Sequence, residues 1–162
     1  MSNIQQRLAD LKLTLPQSPQ PVGRYQPWIK AENLIFVSGQ LPLVNGFLKY
    51  KGKLGADLSD EDGYEAAKLA ALNTLAHLHD ATQQFETLDT IIRLDGHIQC
   101  VPNWYNHAAI LDGASDLLTN VLQNRAGHAR TVFGQIALPL NSAIELVIIA
   151  SIRPTANLPI TS

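Results

Sequence analysis

This chain is poor in the residues on which several kinds of function depend. Its 162 residues include a single cysteine, Cys100, so an internal disulfide and a cysteine-built metal cluster are both excluded. Charged residues make up only 16% of the chain and the formal net charge is −2, which leaves no electrostatic footprint for nucleic acid. No stretch is long and apolar enough for a membrane span, and the amino terminus lacks a basic region followed by an apolar run. A phosphate-cradling glycine loop, a serine elbow and a dinucleotide fingerprint are missing as well. The histidines make no metal set. His77 and His79 stand two apart in a helical pattern and point different ways, and His97 and His107 lack a spacing that argues for zinc. The expectation is a cytoplasmic protein with no metal, no cofactor, no membrane contact and no nucleic-acid partner.

What is present predicts one domain over residues 1–162, large enough to bury a real core. Ile4, Leu8, Leu11 and Leu15 recur at helical spacing, and Pro16, Pro19 and Pro21 then enforce an extended connector, so residues 1–20 read as a helix and its link. Strands are predicted from about Tyr25 to Lys30 and from Leu34 to Gln40, joined by a turn at Glu32-Asn33. Asn45-Gly46 is a hairpin turn leading to Phe47, Leu48 and Tyr50. Ser59 and Asp62 form an N-terminal helix cap, and the helix behind them carries Tyr64, Ala67, Ala71, Leu75 and Leu78 on one stripe as far as about Gln83. The stripe is rich in alanine, which suits close approach to a sheet. Leu88–Cys100 reads as strand and Gly113–Leu122 as a second helix, with Ser115 and Asp116 as its capping residues. Arg130–Ile136 and Ala143–Ile152 are the last strands, and 153–162 is a loose tail. Two long helices on one side of a mainly antiparallel mixed sheet make an α+β layer fold.

Two charges then stand out. Between Gly127 and Ile152 there is one arginine, Arg130, and one glutamate, Glu145, each among mostly apolar neighbours. A lone charge on a strand costs free energy unless it is paired, solvated in a pocket or used by a ligand. An arginine that grips a carboxylate and a glutamate that moves protons form a minimal site for a small organic acid. A structural ion pair or a solvent-facing strand residue explains the same pattern. If the two strands form a hairpin joined near Leu140, Glu145 pairs near Gln135, and Arg130 lies roughly 15 Å further along. The two groups would then not touch within one chain, and a shared site would need a wall from a second subunit. His128 precedes Arg130 by two residues and shares its side of a strand. Trp104 and Tyr105 supply either an aromatic wall or packing, and Arg93 with Asp95 reads as a surface or interface pair.

A set of short segments extends this reading. Val22-Gly23-Arg24-Tyr25, Leu34 to Pro42, His128-Ala129-Arg130-Thr131, Leu138-Pro139 and Ile144-Glu145 occur in an order that resembles the RidA/YjgF superfamily, also called endoribonuclease L-PSP. Gly55 to Ser59, Gly63 to Ala67 and Gly113 to Leu118 are similar to its chorismate-mutase-like subgroup. The resemblance covers roughly residues 20 to 152 and implies the chorismate-mutase-like fold, assembled as a homotrimer whose sheets form a central barrel with ligand clefts between subunits. It also implies that Arg130 holds a substrate carboxylate, Glu145 positions or activates water, Tyr25 lines the pocket, and Ser38 and Gly39 border it. His128 and Trp104 join them as candidate substrate-binding residues.

The departures from the family pattern are Val132, where many members have cysteine, Arg24 in place of a proline, and Asp112-Gly113 where an asparagine is often found. The implied activity is hydrolysis of reactive 2-imino or enamino acids to 2-oxo acids and ammonia, a deaminase reaction needing no cofactor. A non-catalytic trimer that binds a small metabolite is the alternative, and ribonuclease the least favoured reading. Chorismate mutase activity does not follow from the fold name.

Overall fold

The computed structural model describes residues 3–21 and 23–153, so the tail expected at 153–162 lies, apart from Arg153, outside the described residues. The chain runs α1 (Asn3–Asp10), β1 (Trp28–Ala31), β2 (Leu34–Gln40), β3 (Leu43–Val44), β4 (Phe47–Leu48), α2 (Asp60–Ala81), β5 (Leu88–Gln99), α3 (His107–Leu122), β6 (Ala129–Gln135) and β7 (Ile144–Ile152). Five strands form one sheet in the order β1-β2-β7-β5-β6, and β3 with β4 form a separate hairpin turned at Asn45-Gly46. All pairings in the large sheet are antiparallel except β5 with β6. That exception follows from connectivity, because α3 lies between β5 and β6 and carries the chain back to the same end.

One face of the sheet is covered by α2 and α3. α2 starts where the sequence placed it: Asp62 N–H donates to Ser59 Oγ, and Asp62 Oδ2 accepts from Ser59 N–H, a reciprocal cap. Its Ala66, Ala67, Ala70 and Ala71 are fully buried, and their small side chains let the helix axis approach the strands. α3 begins at His107, six residues before the expected start at Gly113. Ser115 and Asp116 are therefore mid-helix and do not cap it. The two helices touch closely at Gly113, where a Cβ would run into the Tyr64 carbonyl. α1 is anchored on α3 by buried Ile4 and Leu8 and by Arg7 Nε donating to Val121 O at 2.6 Å.

Register separates the two faces. Trp28, Val37, Ile148, Leu94 and Arg130 form one row across all five strands, and its three central members are buried beneath the helices. Ile29, Phe36, Ile149, Arg93 and Ala129 form the neighbouring row on the opposite face. No helix among the described residues covers that second face. Phe36 and Phe133 stay partly exposed and Ile29 is 55% exposed.

Candidate functional site

Arg130 and Glu145 are not on a hairpin. β5 separates their strands, with Leu94 opposite Arg130 and His97 opposite Glu145. Three residues along and two strands across put their backbones about 14 Å apart at the usual spacings. Leu94 faces the helices while His97 faces away, so the two charges also lie on opposite faces of the sheet. The expectation that they do not touch within one chain holds, but for a different reason than a long hairpin.

Around Glu145 the strand β2 is irregular. From Val37 to Gln40 it spends three steps where β7 spends two, a bulge at Ser38-Gly39. The bulge brings Gly39 directly against the Glu145 carboxylate, where any Cβ would overlap it. Ser38 Oγ donates to Gln26 O at 2.7 Å, and buried Gln40 donates through Nε2 to Ser38 O at 2.9 Å, so both sides of the bulge are tied. Glu145 faces a cavity of about 240 Å³ that is also lined by Tyr25, Pro19, Pro21, Pro27, Leu41, Leu43 and Pro139. Glu145 is the one carboxylate in this lining and forms no ion pair among the described residues.

The walls are held by two buried amides that sequence reading passed over. Asn73, fully buried on α2, donates to Leu41 O at 2.9 Å and Leu43 O at 3.1 Å. Gln99, at the end of β5, accepts from Leu138 N–H at 2.7 Å and donates to Asn141 Oδ1 at 2.6 Å, which fixes the turn carrying Pro139. An amide within an apolar run was the available signal, since such a group survives burial only with partners.

Arg130 sits in a polar cluster against α3. Its Nη1 donates to Asp112 Oδ1 at 2.7 Å and to Ser115 Oγ at 3.0 Å. Ser115 Oγ is also 3.0 Å from His128 Nε2, while His128 Nδ1 contacts Ala126 O. A carbonyl only accepts, so Nδ1 carries a proton, and in the neutral ring Nε2 then accepts from the serine hydroxyl. The donations run from Arg130 to Ser115 to His128 to Ala126, and His128 does share Arg130's side of the strand. One turn beyond Asp112, Asp116 accepts from Tyr64 Oη at 2.8 Å, a bond that raises the phenol above its ordinary pKa because it would place two anions together. Val132 packs against the core on the same strand, with no thiol in this place.

Trp104 belongs to neither group. Its Nε1 donates to Asp60 Oδ1 at 2.9 Å, its ring lies edge-on to His107 at 4.7 Å, and it packs against Gly55. Tyr105 beside it is 78% exposed. Arg93 and Asp95 do pair, at 2.7 Å, on the uncovered face. His77 is buried, whereas His79 pairs with Asp80 nearer the surface.

Comparison with known proteins agrees with this architecture. A Shewanella oneidensis MR-1 protein, described as a "putative endoribonuclease", has a crystal structure that superposes with a TM-score of 0.89 at 34% identity, covering 91% of this chain and 98% of that one. An Agrobacterium tumefaciens protein of unknown function gives 0.86 at 33% identity, covering 93% and 92%. Protein TCP17 of Trypanosoma cruzi is 30% identical over 142 residues, 86% of this chain and 88% of its own length. Residues 5–152 match the family model described as "YjgF/chorismate_mutase-like, putative endoribonuclease". With its sheet, helices and motif order in agreement, the chain belongs to the YjgF/chorismate mutase-like family.

Proposed function

We propose that the protein is a Rid-type hydrolase of reactive 2-imino and enamino acids, working in a cleft between subunits of a homotrimer. The carrying observation is the separation of its two charges: a carboxylate with no ion pair among the described residues, in a small, largely apolar cavity, and an arginine about 14 Å away on the other face. One small acid cannot span that distance. A neighbouring copy that sets its β6 edge near the β2 bulge would bring Arg130 to Glu145 of the partner subunit. The uncovered sheet face, with Ile29, Phe36, Ile149 and Phe133, supports such an assembly, because exposed apolar surface of this kind is what copies bury.

In this reading Arg130 holds the substrate carboxylate and orients the C=N carbon. Glu145 takes a proton from water as it adds to that carbon, and returns one to nitrogen as ammonia leaves and the 2-oxo acid forms. Tyr25, Ser38 and Gly39 shape the wall near Glu145, and His128 supports the arginine through Ser115. The chemistry needs only modest help, since such imines already hydrolyse in water.

A non-catalytic metabolite-binding trimer is the second reading, favoured by the one feature that blunts the arginine: its Nη1 is already occupied by Asp112 and Ser115. Glu145→Gln separates the two. With 2-iminopropionate generated in situ and oxo-acid release followed, the enzyme reading requires a loss of turnover of about 10²–10⁴-fold with ligand binding retained. Arg130→Ala should lose both. Equal release by wild type and Glu145→Gln would leave the binding reading.

A further inference from the structure

Asp112 is the feature that the proposed chemistry leaves unused. A site built only to hold a carboxylate has no reason to place a second carboxylate on the arginine that grips it. Here Asp112 Oδ1 lies 2.7 Å from Arg130 Nη1, and the Asp112 side chain is 51% exposed, open to whatever Arg130 meets. Asp116 follows one turn later on the same face of α3. With Arg130, these two carboxylates leave the cluster with a formal charge of −1. A plain carboxylate approaching it gains Arg130 but is repelled by Asp112.

The guanidinium nonetheless keeps an edge for a ligand. Both protein contacts fall on Nη1, and Nε and Nη2 form no hydrogen bond among the described residues. A carboxylate can therefore take the Nε/Nη2 edge through two parallel bonds. Asp112, on the adjoining Nη1, would then stand beside the atoms attached to that carboxylate. A positive charge on the carbon next to the carboxylate turns the repulsion into attraction.

We infer that Asp112 makes the Arg130 site selective for zwitterions: acids that carry a cationic nitrogen on carbon 2, namely protonated 2-imino acids and 2-amino acids, over simple carboxylates. The inference rests on the proposed role of Arg130 as a carboxylate grip and names the ligand class for it. Protonated imines are also the form that adds water fastest, so the same preference would present the substrate in its reactive state. The departure from asparagine at Asp112-Gly113 then has a physical meaning, because an amide there would hydrogen-bond the arginine without adding a negative charge.

The test uses the full-length protein and two probes that differ by one ammonium group, L-alanine and propionate, with affinities measured by calorimetry or ligand-observed NMR. Wild type should bind alanine at least about tenfold more tightly than propionate, and Asp112→Asn should shrink that ratio to within about threefold, chiefly by strengthening propionate, since the charge removed is the one that repels it. Asp112→Glu should keep the preference, which separates charge from local folding. An unchanged ratio in Asp112→Asn, or a wild type that prefers propionate, overturns the inference while leaving the grip intact. If Arg130→Ala binds both probes as wild type does, the grip itself is wrong, and the inference falls with it.

Discussion

Arg130 and Glu145 present the same problem in the sequence, a single charge in an apolar strand, and the fold meets it in two ways. Arg130 lies on the edge strand β6, at the end of a row whose three central members are buried under the helices, and α3 supplies Asp112 and Ser115 to satisfy it. Glu145 lies on the central strand β7 with no cationic partner among the described residues, and the neighbouring strand makes room by a bulge and a glycine. An edge charge can borrow partners from a helix running alongside. Glu145 has a strand on each side and no helix running alongside it, and a cavity receives it.

Gly39→Ala is the strongest way to break the comparison. The added methyl must displace the Glu145 carboxylate, which is the far end of a flexible side chain, so stability should fall by only about 1 kcal/mol. Turnover should drop as far as in Glu145→Gln, about 10²-fold or more. Parallel melting curves and imine-hydrolysis assays check both halves. Normal turnover in this variant would mean that the position of the carboxylate against the bulge has no bearing on activity.

Ser115→Ala sharpens the other side. It removes the hydroxyl that accepts from Arg130 and donates to His128 but leaves the Asp112 pair, a net loss of about 1 kcal/mol or roughly fivefold in alanine affinity. A loss as large as that of Arg130→Ala would show that the serine, more than Asp112, holds the guanidinium in place.

The smallest effect concerns a third isolated polar group, His77, which has no hydrogen-bond partner among the described residues. It is 1% exposed on α2, and neither ring nitrogen is hydrogen-bonded to any described residue. Burial holds its pKa below the ordinary 6.5, against a smaller upward pull from Asp80. The unfolded chain then binds a proton more readily than the folded one, so this contribution to stability is complete above about pH 6.5 and is lost as the pH falls below it. Urea denaturation at pH 7.5 and 5.5 should show part of the acid loss disappearing in His77→Leu. An identical slope in that variant would place the acid sensitivity elsewhere.

Local chemistry made much of the fold legible. The cap at Ser59 and Asp62, the turn at Asn45-Gly46 and the limits of β2 all depend on a few adjacent residues, and the structure has them where the sequence put them. The start of α3 was not legible for an equally local reason: Asn106 makes no side-chain cap, so nothing marks the first turn, and the glycine at 113 looked like a boundary. That glycine is instead mid-helix, required by the Tyr64 carbonyl of another helix. In the candidate site the sequence singled out Arg130, Glu145, Tyr25 and Gly39. It passed over Asn73 and Gln99, whose importance lies in carbonyl and amide groups that are distant along the chain.

The sequence by itself determined the family, the run of helices and strands, and the two lone charges in apolar strands, because periodicity, capping and motif order are properties of neighbouring residues. Only the tertiary structure decided that β5 lies between β6 and β7, that the two charges face opposite sides of one sheet, and that Arg130 already has Asp112 beside it. Those facts depend on strand order and register. In a sheet the side-chain direction reverses with each residue, so a single step in pairing moves a charge from one face to the other.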